Sequence, residues 1–281
     1  MQAYFSPGLF LRAFGSLRVP HKLGLGERLW GGSLGRRGTT WVDFGTLRWK
    51  LNLANDTHRW LVYGEYEEPA LRRLLERVID ARSAVIDSGA NIGQMILMYL
   101  RCGAPASIHA FEPTPAARNW LMECIEANQL RHIAISPLAL GETPGWATLI
   151  ENDFNQKEGA QNRIEASDTG LSIEVTTLDT YAAAQGVDRV RFWKLDTEGH
   201  ELPALLGARL LLQREAIDYL YVETAEAGEA IFEELTRSRY VATTLSLDRV
   251  LDVKEVRANF TNVFASPGIA REECGFTMPP G

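Results

Sequence analysis

The chain reads as an α/β fold, a doubly wound and mostly parallel sheet preceded by an N-terminal extension. Three observations point there. From about residue 84 onward, short apolar runs alternate with amphipathic stretches, the rhythm of strand–helix units covered on both faces. The first of those strands runs directly into a glycine-bounded turn, VIDSGANIGQ. Several strands end on a carboxylate, namely Asp87, Glu112, Asp196 and Glu223. In open α/β sheets that edge is where ligands collect.

The 281 residues suit one large domain with an elaboration at its start. A hydrophobic content of 46% supplies a sizeable core. The net charge of −7 argues against a nucleic-acid partner, which usually meets a basic domain. Cys102, Cys124 and Cys274 are scattered, so neither a disulfide framework nor a zinc motif is expected. A reducing, cytoplasmic compartment fits that usage. No apolar run approaches the roughly 20 residues that span a bilayer. The opening MQAYFSPGLFLRAFGSLRV lacks the layout of a secretion signal.

The first forty residues differ from the rest. Arg12, Arg18, Lys22, Arg28, Arg36 and Arg37 face only Glu27, with glycines and aromatics interleaved. They read as a basic arm or cap, or else as a lid, a homodimer contact or a dock for an anionic substrate. The expected division is residues 1–66 as extension and 67–281 as the main domain. Trp30, Trp41, Trp49 and Trp60 cluster early. Core or lid packing is the default for them, with a sugar-stacking platform as the alternative.

Elements follow in order. Leu47, Trp49, Leu51 and Leu53 alternate, and Gly45-Thr46 between two such runs predicts a hairpin. Pro69 suits a first helical turn, and Leu71, Leu74, Leu75 and Val78 share one helical face. Strands are expected at 84–87, 107–111, 133–140, 190–195 and 217–222. Helices are expected at 92–100, 115–127 (capped by Thr114), 202–212 and 228–237. Late strands at 240–245, 249–253 and 262–265 close the chain. Runs 146–150 and 171–175 flank a polar stretch of about 20 residues, long enough to suspect a substrate-binding loop.

Gly89 and Gly93 bracket the turn after the first strand, where the backbone can approach a ligand closely at a helix start. Glu112 ends the next strand, the place for a carboxylate holding a ribose diol. A dinucleotide fingerprint needs Gly-x-Gly-x-x-Gly, and Asn91 and Gln94 stand where its second and third glycines belong. Asp87 would repel a pyrophosphate but accept a hydrogen bond from an ammonium or hydroxyl. A ligand with a ribose and an amino-acid tail but no phosphate suits this set, and S-adenosylmethionine is such a ligand.

The ordered series DSGANIGQ, HAFEPTP, Asn128, LAL-G, TLDTYAA, KLDTEGHE and YVE resembles the FkbM family of methyltransferases. The resemblance implies a class I methyltransferase fold, a Rossmann-like seven-stranded sheet with a reversed final hairpin. It also implies S-adenosyl-L-methionine as donor and transfer to a hydroxyl of a sugar, polyketide or related metabolite. Carried over by position, Asp87, Gly89, Asn91 and Gly93 form the donor loop and Glu112 holds the ribose. Ala139 and Leu140, ending the third strand, lie by the adenine. Glu67, within Gly64–Glu67, reaches the donor's amino-acid end. Ser88 stands where a small aliphatic residue is common.

KLDTEGHE places Asp196 at the end of the strand expected beside the first one. His200 is the natural general base near neutral pH, its ordinary pKa being about 6.5. Glu198 or Asp196 would orient it or take the proton themselves, and Glu201 is another orienting candidate. A magnesium or manganese site, completed by Glu223 or Asp153, is the weaker reading, so no metal is expected. N-methylation in the same fold and a non-catalytic donor-binding module remain the alternatives to O-methylation.

Overall fold

The computed structural model describes residues 4–17, 19, 21–66, 69–150, 163–165, 170–224, 227–244, 250–253 and 262–267. The N-terminal part begins with β1 (Tyr4–Phe5), α1 (Leu9–Ser16) and α2 (Lys22–Gly26). The helical path continues without a break through a π-helical turn, Glu27–Gly31, into α3 (Gly32–Gly35). β2 (Thr39–Asp43) and β3 (Arg48–Asn52) form the expected antiparallel hairpin, with β1 parallel to β2 on its outer edge. Its turn is held by the Gly45 amide, which donates to Asp43 Oδ1 at 2.8 Å. α4 (Asp56–Val62) is capped by Asn55, whose side chain accepts from the Thr57 amide. α5 (Pro69–Val78) buries Leu71, Leu74, Leu75 and Val78, the face its spacing predicts.

The strand–helix rhythm then runs as expected: β4 (Ala84–Ser88), α6 (Gln94–Cys102), β5 (Ser107–Phe111), α7 (Pro115–Ala127) and β6 (Ile133–Ser136). Thr114 stands at the N-cap of α7 without capping through its side chain; Pro115 at the first position supplies the preset φ instead. The run 133–140, read as one strand, divides. Pro137 has no N–H to donate and ends the ladder. β7 (Ala139–Leu140) leaves for a second sheet, joining β8 (Gly145–Ile150), β9 (Arg163–Glu165) and β10 (Leu171–Thr176) in the order β7-β10-β8-β9.

Then come α8 (Leu178–Gln185), β11 (Val190–Leu195), α9 (Glu201–Leu206), α10 (Arg209–Gln213), β12 (Ile217–Glu223), α11 (Gly228–Arg237), β13 (Tyr240–Thr243) and β14 (Asn262–Pro267). The helix expected over 202–212 is broken after Leu206, and Asp179 caps the second piece by accepting from the Leu210 and Leu211 amides. Of the strand expected at 249–253, the described residues show only an isolated bridge between Thr243 and Val250.

The large sheet has the order β13-β14-β12-β11-β4-β5-β6, with β14 antiparallel to both neighbours and the other described pairs parallel. The chain works outward from β4 to β6, then returns to β11 on the other side of β4. That reversal is the switch point where a doubly wound sheet opens a crevice. Alternating strand residues divide between two cores. Val85, Ile108, Phe192 and Tyr219 face α6 and the N-terminal elements. Ile86, Trp193, Leu195 and Leu220 face α8 to α11.

The extension shares the first of these cores. Leu11, Phe14, Trp49, Leu51 and Tyr63 are buried in one cluster with Ile92, Ile96 and Tyr99. Trp49 is fully buried and its indole N–H donates to the Ile92 carbonyl at 2.9 Å. Two ion pairs brace the N-terminal part internally. Lys22 Nζ sits 3.1 Å from Glu65 with both side chains buried, and Arg59 holds Glu27 through Nε and Nη2. Trp49→Phe should orphan the Ile92 carbonyl and leave a small cavity where the larger indole stood, together costing about 1–3 kcal/mol or more. Chemical denaturation measures this; an unchanged midpoint would show that the indole bond contributes nothing.

Candidate active site

A cleft of about 1220 Å³ of atom-free space, its open mouth included, lies over the carboxyl ends of β4, β5 and β11. Its floor comes from the switch point. Ser88 ends β4 and Gly89 follows it, Glu112 to Thr114 follow β5, and Asp196 to Glu198 follow β11. Leu138, Ala139, Leu140 and Leu149 make an apolar side. Asn55, Thr57, His58 and Tyr66 come from the N-terminal part.

Gly89 explains how two loops meet. Its φ is +77°, and a Cβ there would overlap the Asp196 carbonyl oxygen. The loop after β4 therefore touches the loop after β11 backbone to backbone. Asn91 also sits at positive φ, +49°, a conformation Asn tolerates better than most residues. Its amide donates to Glu112 Oε2 at 2.8 Å, while Thr114 N donates to Oε1 at 2.8 Å. Burial raises the Glu112 carboxyl above its ordinary pKa, and the Thr114 and Asn91 hydrogen bonds oppose that shift.

Two members of the expected donor loop lie elsewhere. Asp87 is fully buried within β4 and is not among the residues lining the cleft. Gly93 serves packing instead: a Cβ there would lie 2.5 Å from Leu121 Cδ1 and 2.7 Å from Trp49 Cζ2. Ser88 takes a part the sequence does not reveal, accepting from the buried Trp193 indole N–H at 2.8 Å. Glu67 and Asp153 lie outside the described residues. Ala139 and Leu140 do line the cleft, though from β7 and not from the third strand of the large sheet. No tryptophan lines the cleft among the described residues, so the early tryptophans are packing groups there.

The β11 loop is wound tightly. Glu198 and Gly199 have φ of +54° and +94°. The buried Glu201 holds the turn by accepting from Thr197 N at 2.6 Å and Gly199 N at 3.1 Å. Glu201 thus holds the loop backbone, and no hydrogen bond joins it to the imidazole. His200 lines the cleft, and its ring makes no hydrogen bond with Asp196, Glu198 or Glu201. Burial lowers its pKa, so the ring is neutral near pH 7 and able to accept a proton.

Asp196 is engaged from two sides. Lys194 Nζ lies 2.6 Å from its Oδ2. Carboxylate oxygens of Asp196, Glu198 and Glu223 gather within 4.8 Å of one another. Burial would raise the Asp196 carboxyl, but Lys194 and the hydrogen bond with Glu223 bring it below its ordinary value. Glu223 goes the other way, to about 8, through burial and the adjacent Asp196 charge. Near pH 7 the pair holds one proton, resident on Glu223. Lys194 sets one cation against Asp196, and the three carboxylates are near enough to one another to hold a metal ion, the weaker reading of the sequence. His58 is a further lining group. Its Nδ1 accepts from the Asn52 amide at 3.0 Å, and burial pushes its pKa down to about 4. Its proton is therefore on Nε2, and the ring is a fixed donor.

The sheet order, the reversed last strand and a cleft floored by a glycine loop and a strand-end glutamate define a class I methyltransferase domain. A family model, the methyltransferase FkbM domain, matches residues 87–275, more than half of the chain. The chain belongs to the FkbM methyltransferase family, which uses S-adenosylmethionine. No curated protein matches it. Among solved structures it is similar to a methyltransferase FkbM from Methylobacillus flagellatus KT at 15% identity and a TM-score of 0.45. That alignment covers 85% of this chain and 58% of the other, so this chain spans little more than half the relative's length. An rRNA methylase from Streptococcus thermophilus aligns at 13% identity and a TM-score of 0.40, covering 72% of this chain and 96% of its own. TYW2 of M. jannaschii, in complex with S-adenosylmethionine, aligns at 12% identity and a TM-score of 0.36, covering 81% and 84%.

The donor set fits that cofactor. Glu112 is a buried strand-end carboxyl with acceptor capacity beyond the two amides it holds. Gly89 keeps the adjoining backbone free of side-chain bulk, and Ala139, Leu140 and Leu138 offer apolar surface.

Glu223 makes the folded protein sensitive to alkali. Its folded pKa exceeds its unfolded one, so its contribution is full below about pH 4.5 and is lost as pH rises through about 8. Glu223→Gln should remove that loss. Solvent screening of a half-buried group keeps the gain to about 1–2 kcal/mol near pH 9, with little difference near pH 5. Thermal melts at the two pH values read it; a gain of equal size at both would sink the assignment.

Proposed function

We propose that this chain is an O-methyltransferase acting on a hydroxyl of a sugar, polyketide or related metabolite, with His200 as the general base. The observation that carries the proposal is a half-buried imidazole, neutral near pH 7, lining the same cleft as Glu112 and the Gly89 loop. Bound there, S-adenosylmethionine would supply an electrophilic methyl on a sulfonium that leaves as a neutral sulfide.

The protein's part is placement and proton management. Glu112 takes the ribose hydroxyls, Asn91 and Gly89 form the backbone cradle, and Ala139 and Leu140 cover the adenine face. An alcohol attacks poorly until its proton is leaving, and His200 accepts that proton during attack. Asp196 and Glu198 stand at the mouth of the β11 loop, where they orient the acceptor. Holding the reactants in line provides much of the rate. An amine acceptor is the second reading, favoured by the three carboxyls gathered at Asp196, Glu198 and Glu223. The protein is expected to act in the cytoplasm.

Two measurements test the scheme. Calorimetry with S-adenosylhomocysteine should show binding that Glu112→Ala weakens about tenfold or more, the loss of a charged hydrogen-bonding group. Unchanged affinity would remove Glu112 from the site. Transfer of labelled methyl to hydroxyl and amine acceptor panels identifies the nucleophile. On the acceptor found, His200→Ala should leave donor affinity intact and lower kcat by about 10²–10⁴. The parent's kcat/KM should fall on the acid side at a pH below 6.5, where the ring takes up its proton. An acid limb that survives in His200→Ala assigns the base elsewhere.

A further inference from the structure

The first forty residues carry six basic side chains against one acidic, whereas the remainder carries 23 against 35. The structure shows what this basic end looks like. α2, the π turn and α3 form one helical run, Lys22–Gly35. Its inner side packs on the core through Leu34, Trp30 and Gly26, the last against the Tyr63 ring. Its outer side exposes Leu25, Arg28, Leu29 and, one turn and more beyond, Arg36. Leu25, Arg28 and Leu29 fall at three- and four-residue spacing, and Arg36 follows seven residues after Leu29, two turns on, so leucines and arginines interleave along one side. Leu25 is 46% exposed and Leu29 56%.

α1 lies beside this run, Phe14 meeting Trp30 with ring centroids 4.9 Å apart. It buries Leu11 and Phe14 but leaves Leu9 82% and Phe10 85% exposed. Apolar side chains so exposed and grouped mark an interaction surface more often than a bare one. Neither Arg28 nor Arg36 makes an ion pair among the described residues. Leucine and phenylalanine interleaved with free arginines is the composition of helices that lie in a bilayer interface.

We propose that the outer face of α1 and of the Lys22–Gly35 run is a docking surface for an anionic lipid bilayer. Leu9, Phe10, Leu25 and Leu29 enter the headgroup region, and Arg28 and Arg36 engage the lipid phosphates. Charge decides between this occupant and a second copy. A two-fold contact through this face would set Arg28 and Arg36 against their own duplicates. A bilayer rich in acidic lipid complements the face and repels the acidic remainder, which orients the molecule. The attachment is peripheral: no helix among the described residues is long and apolar enough to cross a membrane.

Sedimentation of the full chain with vesicles tests this. Phosphatidylcholine alone should bind about tenfold less protein than phosphatidylcholine mixed with phosphatidylglycerol, and added salt should erase the difference. Arg28→Glu with Arg36→Glu, or Leu25→Ser with Leu29→Ser, should each reduce binding to the acidic vesicles about tenfold. Leu210→Ser, an exposed leucine on α10, should not. Circular dichroism melts and S-adenosylhomocysteine binding verify that each variant is folded. Equal binding to the two vesicle types, no binding, or variants that bind like the parent would overturn the proposal. So would a parent dimer in sedimentation velocity that the leucine variants split, since the surface would then belong to a second copy.

Discussion

The contact between Gly89 and the Asp196 carbonyl is the constraint on which the site depends. β4 and β11 are parallel neighbours with Lys194 opposite Asp87 and Leu195 opposite Ser88. Their loops leave the sheet at the same level, and only a residue without a Cβ lets them touch. That contact puts the loop that would cradle the donor against the loop that carries Asp196, Glu198 and His200. It also fixes the direction of each, because both backbones run through positive φ immediately afterwards, at Asn91 and at Glu198. Such conformations cost about a kilocalorie or more per non-glycine residue and persist only where the surroundings enforce them. Here Glu112 enforces the first through the Asn91 amide, and Glu201 enforces the second through the amides of Thr197 and Gly199.

The two glutamates clarify what the carboxylates around the cleft do. Of the acids in KLDTEGHE, Glu201 holds backbone amides and Asp196 pairs with Lys194. Glu223 holds a proton because it is taken out of water and because Asp196 beside it is charged. The cluster therefore carries less net negative charge near neutral pH than its composition suggests. A neutral His200 in the same cleft is consistent with that balance, since a dense negative field would have drawn a proton onto the ring.

Periodicity and strand-end carboxylates made the large sheet legible. The elements 107–111, 115–127, 190–195 and 228–237 stand where the sequence places them, because each is long enough to show its period and is bounded by a turn residue. Pro137 was the missed signal: a proline inside an apolar run argues against one continuous strand, and it diverts Ala139 and Leu140 to another sheet. At the site, Glu112, Gly89, Asn91, Asp196, Glu198 and His200 were legible because all follow strands at the same edge. Asp87 lies buried in β4 and Gly93 packs against Leu121 and Trp49, neither lining the cleft, which spacing alone does not foretell. Sequence gives spacing along a loop but not which side chain turns into the sheet and which out. Asn55, Thr57 and His58 were beyond its reach, since nothing local announces that a distant helix closes the same cavity.

Those three residues lie outside the span that the family model matches, and so does Trp49, which props the Gly89–Gly93 turn by binding the Ile92 carbonyl. The N-terminal elements are therefore part of the site's construction. α4 is the link. Its first turn lines the cleft, and Arg59 one turn later grips Glu27 of the outer helical run. Its last residues reach Tyr63, against which Gly26 and Phe14 pack. A force on the outer helices is transmitted through buried rings and a bidentate ion pair to the wall of the cleft. Close-packed interiors yield little under such a load, so the surface that faces outward and the cavity that faces the ligand move as one piece.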